Sequence, residues 1–425
     1  MILFAALITS GLLTGLSWAA CPVANVPSST ADPESLLKDL RDTGFTQYRE
    51  GHYQNAAACY TEALHIGQAL GISNPATAND LSNMGDLAEG MGDYTESKNY
   101  YLRALDLLNH LGAADSGAAG DLYTKLGVLM QVQGLISEAE TNYKRAVGLL
   151  TQHAGAENWR TANALDRLGR IYLELRKFPE ASGLMHKARA IAEKSLSPDN
   201  PLLLTFFDSE AYLVCQAGKF KEAEKNWMAA LNIAEHAYGE DGIQYGFLLF
   251  HLGQMYSLIG DYPAAETLLR RAVVIEDKIT GPDPVDHALL VSSLAIVYVK
   301  QRKLEEAQPL MLESRAATNS NCRASPMACS LIRSHLGDYY LAKGQWGLAE
   351  EQFEAALKPR ENTLGEHPLV ADSLISLART LRKEKRKGDA KIYEAQAARI
   401  LASQKNPLYG GGNTIDVRAF QSANR

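Results

Sequence analysis

The sequence predicts an all-α solenoid of about nine stacked helical hairpins. Three observations carry that expectation. A landmark returns every 41 or 42 residues along most of the 425-residue chain. Small and bulky residues stand at helical offsets on either side of it. The composition is 46% apolar yet only 8% aromatic, which suits closely packed helices better than a β-sandwich. A fixed period of roughly 20–50 residues is the mark of a repeat architecture.

The landmark is a bulky residue followed three positions later by a small one. In order these are Tyr53 with Ala56, Tyr94 with Ser97, Ile136 with Ala139, Phe178 with Ala181, and Phe220 with Ala223. Tyr262 with Ala265, Leu304 with Ala307 and Trp346 with Ala349 follow, and a degenerate turn at Gly388 leads to Ala390. A glycine usually stands two residues before the bulky one, as at Gly51, Gly92, Gly134, Gly218, Gly260 and Gly344; Arg176 and Arg302 take its place twice.

Each copy reads as two helices around that turn. Upstream, a small residue follows an apolar one with Tyr three further on: Leu168-Gly169 with Tyr172, Leu252-Gly253 with Tyr256, Leu336-Gly337 with Tyr340. Downstream, the anchoring Ala is followed by a bulky residue and a second Ala, as in Ala223, Trp227, Ala230 and Ala349, Phe353, Ala356. Offsets of three and four residues share one helix face. Where two helices cross closely only Gly or Ala avoids a clash, and the bulky residue fills the gap beside it. One hairpin cannot bury both of its faces, so the copies are expected to stack into a continuous core.

The pattern Gly/Ala-x2-Tyr-x3-Gly-x-Tyr/Phe-x2-Ala resembles the tetratricopeptide repeat (TPR) family. The repeat length, and the link from Leu364 to Leu374 (LGEHPLVADSL), resemble its kinesin-light-chain type; Gly71–Pro75 and Gly281–Pro284 are weaker copies of that link. The resemblance covers residues 35–403 and implies a right-handed α-solenoid that binds a protein or peptide partner and performs no catalysis. The first helix of each hairpin would then line a concave groove. Family positions fall on Lys38, Arg41, Tyr48, Asn79, Ser82, Asp86 and Glu89 early in the chain. In the middle they fall on Asn163, Asp166, Arg170, Asp208 and Tyr212, then on Phe247, Phe250, Gln254, Ile296 and Val299. Phe247 and Phe250 are the foremost candidates, since exposed aromatic residues mark binding surfaces; packing under a neighbouring loop or the C-terminal tail is the bland alternative. Chaperone-binding members hold a C-terminal carboxylate with an Asn just after the packing Gly/Ala. This chain has Phe45, Asp86, Val128, Arg170, Tyr212, Gln254, Ile296, Asp338 and Arg379 there, so that clamp is not expected.

The ends read differently from the array. Residues 1–20 are apolar from Ile2 to Trp18 and carry no charged side chain, and the Ser17-Trp18-Ala19 step suits cleavage after Ala19. That fits an export signal better than a spanning helix, which needs roughly 20 apolar residues. The protein is expected to be exported, periplasmic or secreted. A retained membrane anchor and a lipoprotein acylated on Cys21 are the alternatives, and only these would bring the protein to a membrane. Residues 21–34 are Pro/Ser-rich and read as a flexible leader. Residues 404–425 form a Gly-hinged tail that alternates Ile415, Val417 and Ala419 with polar residues.

Little points to chemistry. The five cysteines have no zinc-site spacing; Cys322 and Cys329 are close enough to close a short disulfide loop or to remain two thiols, while Cys59 and Cys215 are too far apart to pair. None of the ten histidines sits in a metal motif, and His251 and His335, at matching repeat positions, read as packing residues. Walker and Gly-x-Ser-x-Gly motifs are absent from the sequence. No cofactor, metal or small-molecule substrate is expected. The net charge of −7 argues against a nucleic-acid partner. Six basic residues from Arg379 to Lys387 read as a solvated end cap, or as a dock for an acidic partner.

Overall fold

The computed structural model describes residues 21, 33–50, 52–69, 75–278, 284–320, 322 and 325–403. The readings of residues 1–20, of leader residues 22–32 and of the tail from residue 404 lie outside them, whereas Pro33 and Glu34, read as leader, open the first helix. Among the described residues eighteen α-helices follow one another as nine hairpins. The first five are α1 (Pro33–Arg49) with α2 (Tyr53–Ala69), α3 (Pro75–Gly90) with α4 (Tyr94–His110), α5 (Gly117–Val132) with α6 (Ile136–His153), α7 (Trp159–Glu174) with α8 (Phe178–Ser195), and α9 (Leu203–Gln216) with α10 (Phe220–Tyr238). The last four are α11 (Ile243–Ile259) with α12 (Tyr262–Glu276), α13 (Pro284–Lys300) with α14 (Leu304–Ser320), α15 (Pro326–Ala342) with α16 (Trp346–Leu364), and α17 (Pro368–Lys383) with α18 (Lys387–Ser403).

Eight of the nine second helices begin at the bulky landmark residue itself. The turn before it explains the glycines. Gly92, Gly134, Gly218, Gly260 and Gly344 have φ between 73° and 85°, where a Cβ is disfavoured. Arg176, Arg302 and Lys385 take the same left-handed conformation without that freedom, at φ 59°, 64° and 66°. Such strain costs roughly 1–2 kcal/mol per residue. At Arg176 the guanidinium lies over the Phe178 ring, 4.5 Å from its centroid, which offsets part of the cost.

The small residues upstream are set by close approach. A Cβ on Gly85 would sit 2.3 Å from the Tyr101 ring, and one on Gly337 would sit 2.6 Å from that of Phe353. Tyr101, Tyr143, Trp227 and Phe353, each four residues after an anchoring small residue, are fully or almost fully buried. One core cluster runs through the first four hairpins and a second from the fourth onward, and both include residues of α7. The ninth copy, degenerate in sequence, still folds as a full hairpin with Ala390 fully buried. Two of the six residues of its basic run are answered within the array: Arg382 forks onto Glu394, and Arg386 pairs with Glu350 and Asp389.

Two disulfides are present. Cys322 bonds Cys329. Cys21, read in sequence as part of a free leader, bonds Cys59 of α2, and both are buried against Leu37, Leu40 and Ala63. Cys215 is a buried free thiol.

Candidate interaction surface on the first helices

Successive first helices approach one another at α5–α7, α7–α9, α11–α13, α13–α15 and α15–α17. Among the described residues no two successive second helices come as close. The array therefore curves with the first helices on its inner side.

A ladder of polar side chains crosses that inner side, each rung joining one first helix to the next. Arg41 of α1 forks onto Asp80 of α3 at 2.7 and 2.6 Å. Lys125 of α5 reaches back to Ser82 at 2.8 Å and Asp86 at 2.6 Å, both on α3. Arg160 of α7 pairs with Asp121 of α5, and Gln131 of α5 with Glu174 of α7. Farther along, His335 of α15 meets Ser292 of α13 at 3.0 Å, and burial pulls its imidazole down to about 3, so it is neutral. The residues joined are 38 to 43 apart, which is one repeat give or take a few residues. A buried polar group without a partner is costly, so these rungs fix how each hairpin sits on the next.

The early wall holds a shared proton. The Tyr101 hydroxyl lies 2.8 Å from Asp86 Oδ1 and 3.1 Å from Glu89 Oε2. One hydroxyl proton serves only one acceptor, so the other contact needs a protonated carboxyl. Glu89 fits that role: burial, then the charge on Asp86, raise it to about 7.

The middle of the wall converges on Asp208 of α9. His251 Nδ1 of α11 donates to its Oδ1 at 2.6 Å, and Trp227 Nε1 of α10 donates to the same oxygen at 2.8 Å. Arg170 of α7 reaches Oδ2 and the neighbouring Ser209 hydroxyl, each at 3.3 Å. Ser209 in turn donates to Asp166 at 2.7 Å. Burial works against ionising Asp208, but the charge and hydrogen bond of His251, with Arg170 and Trp227, hold it well below the usual carboxylate range. Asp166 shows the opposite balance: burial raises it to about 6 against Arg170 and Ser209.

An aromatic patch lies on this bed. Phe247 is 53% exposed, and its ring centroid is 4.3 Å from that of His251. Tyr212 is 38% exposed and lies beneath the Arg170 guanidinium, 6.0 Å away. Phe250 is half-buried, packs against the main core and stands 5.6 Å from His251. Of the other candidates, Asn163 and Gln254 are half-buried on α7 and α11, whereas Ile296 and Val299 of α13 are buried in the wall at 8% and 9% exposure. The structure thus groups Arg170, Tyr212, Phe247 and Phe250. It adds Asp208, His251 and Trp227 to them, three residues that sequence reading assigned to the wall or to packing. Among the described residues no group of three or more His, Cys, Asp or Glu is placed to hold a metal ion, and no helix is long and apolar enough to cross a membrane.

Two tetratricopeptide repeat family models match the chain, one over residues 40–110, 210–275 and 327–403 and another over 161–202. The first alone covers just over half of it. The chain belongs to the tetratricopeptide repeat family. Comparison with curated protein sequences gives no match. Among solved structures, a Rap protein complexed with Competence and Sporulation Factor is similar at TM-score 0.61 and 17% identity, over 88% of this chain and 99% of that one. The Rap conjugation gene regulator of plasmid pLS20, in complex with the Phr* peptide, is similar at TM-score 0.55 and 15% identity, over 87% and 95%. A Podosopora anserina kinesin light chain with TPR-like repeats aligns over 48% of this chain and 97% of its own, at 22% identity and TM-score 0.37. At these identities the likeness is one of fold.

Proposed function

We propose that this TPR array is a non-catalytic scaffold that binds an extended segment of a partner protein or peptide along its first-helix wall, outside the cytoplasm. The observation that carries the reading is the exposed Phe247–Tyr212 patch over Asp208, Arg170 and His251. Large aromatic side chains left in solvent on a rigid, hydrogen-bonded bed are the usual anchors of an interface. Extended segments suit such a wall because their alternate side chains can enter it while the main chain meets its polar rungs. The two Rap structures with bound factor or peptide support a peptide ligand as the class to test.

Export is supported by the apolar residues 1–20 and by two disulfides, which persist in oxidising compartments. The Cys21–Cys59 bond favours export over a lipid anchor, because a sulfur held in a disulfide is not free for acylation. N-terminal sequencing of the fractionated protein separates the two: a soluble chain beginning at Ala20 or Cys21 supports export, and an acylated Cys21 or a retained segment overturns it.

The binding reading is tested by a photo-crosslinking residue placed at Phe247, with Met228, 54% exposed on the second helix α10, as the outer-face control. A partner crosslinked from position 247 and not from 228 is expected. Equal crosslinking from both positions, or none from 247, contradicts the reading.

A further inference from the structure

The array returns upon itself. Ser325, in the link before α15, is 1% exposed and donates a hydrogen bond at 3.1 Å to the hydroxyl of Tyr94, which opens α4 and lies 231 residues earlier. Gly134, in the turn of the third hairpin, faces Thr363 of α16: a Cβ there would lie 3.2 Å from the Thr363 hydroxyl and 3.9 Å from the Pro326 ring. Ile243 of α11 packs against the core cluster of the first four hairpins. Beside it, Thr46 and Glu50 of the first hairpin share a cavity of about 430 Å³ with Tyr238, Asp241 and Lys278. At Tyr94–Ser325, Gly134–Thr363 and the Thr46–Glu50 cavity, residues at or near the turn of an early hairpin meet residues at or beside a link about five repeats later. These contacts form a seam between successive turns of one superhelix.

The seam is thin, and one of its pieces is covalently clasped. Ser325 and Pro326 both lie within the loop closed by Cys322–Cys329. We propose that this disulfide is a redox clasp: intact, it holds Ser325 and Pro326 against Tyr94 and Gly134, and cutting it with a dithiol opens the seam. A short closed loop has few conformations, so it presents Ser325 at little entropic cost; opened, the same link must be ordered at each encounter.

The clasp is within reach of a small thiol. A cavity of about 480 Å³ lies beside it, lined by Cys322 and Cys329 together with Arg333, Lys358 and Thr363. Glu354 also lines it, so two cations face one carboxylate and the net positive charge favours the approach of a thiolate, the attacking species. One thiolate of the dithiol attacks a cysteine sulfur and breaks the S–S bond, giving a mixed disulfide. The second thiol of the reagent displaces the protein sulfur and closes its own disulfide. Two electrons and two protons pass to the protein, leaving Cys322 and Cys329 as thiols and the dithiol oxidised.

The test is amide hydrogen exchange across Met91–Tyr94 and Gln133–Leu135, far in sequence from either cysteine, with the radius of gyration measured by X-ray scattering. The Cys322→Ser/Cys329→Ser variant without reductant is expected to speed exchange there on the order of tenfold, and dithiothreitol, which can also cut Cys21–Cys59, should add nothing there in that variant. The radius is expected to increase, with helical circular dichroism unchanged. Tyr94→Ala, which breaks the seam and keeps the disulfide, should give the same acceleration, and adding Cys322→Ser/Cys329→Ser to it should add nothing. Unchanged exchange at Met91–Tyr94 after the clasp is cut, or effects that simply add in the Tyr94→Ala chain, overturns the proposal.

Discussion

His251 of α11 donates its Nδ1 hydrogen to Asp208 of α9 across 2.6 Å, and this contact joins the fifth hairpin to the sixth. It also sets the ring plane that Phe247 packs beside, 4.3 Å away. Asp208 accepts from Trp227 as well and faces Arg170, so one carboxylate ties together four helices from three hairpins.

Asp208→Asn removes the charge that answers Arg170 and His251. The cost is expected to be roughly 2–4 kcal/mol, because truncating one partner leaves a charge that is largely desolvated. Urea unfolding at neutral pH measures it. The pH dependence has a definite sign. Asp208 is held below its unfolded value, so its contribution is complete above the ordinary carboxylate range and is lost as pH falls through the depressed folded value. The variant should show a flatter acid limb than the parent.

Glu89 runs the other way. Its folded value, about 7, lies above the unfolded one, so the folded state keeps a proton that the unfolded chain has released. Stability falls as pH rises from the unfolded carboxyl value to about 7, then levels off. Glu89→Gln keeps a hydrogen-bond donor for the Tyr101 oxygen and never ionises. It is expected to match the parent near pH 4 and to exceed it at pH 8 by about 2–3 kcal/mol. A variant less stable than the parent at pH 8 contradicts the shared-proton arrangement. Melting curves at the two pH values suffice.

Two glycines separate packing from propensity. Gly85→Ala puts a methyl carbon 2.3 Å from the Tyr101 ring, which is itself held by Asp86, and should cost about 1–3 kcal/mol through overpacking. Gly148→Ala, on the exposed side of α6 with no described atom beyond its own helix backbone and chain neighbours within 4 Å of the new carbon, should stabilise by about 0.5–1 kcal/mol. Thermal denaturation of the pair gives opposite signs if the packing account holds.

The hairpins were legible in sequence because their rules are local. A bulky residue and a small one three positions apart mark eight of the nine turns, and a Gly or Ala facing a bulky side chain marks the close contact. The same offsets recur too often to mistake. Much of the candidate wall was reached by register, including Arg170 and Tyr212. Asp208 stood in that register too, but its role as the centre of the bed did not follow from it. The contact between Asp208 and His251 spans 43 residues, as does that between Asp166 and Ser209, one residue beyond the usual repeat length. A search for polar pairs at that offset on successive first helices would have found both. Ile296 shares the register of Tyr212 but is covered at 8% exposure, since α13 is buried along most of its length; register alone does not report how deeply a helix sits. Cys21–Cys59 and Tyr94–Ser325 follow no repeat rule, and nothing local announces them.

The central claim is that the exposed rings of Phe247 and Tyr212 anchor a peptide. The most direct measurement is calorimetric titration of a linear peptide, selected by display on the parent protein, into the parent and into Phe247→Ser/Tyr212→Ser. Both side chains are solvent-exposed, so the fold should be retained, whereas Phe250 packs into the core and would confound the comparison. Loss of two aromatic anchors at upwards of about 1 kcal/mol each predicts a Kd raised on the order of thirtyfold or more, with an unchanged melting temperature. Equal Kd values for the two proteins would contradict the account.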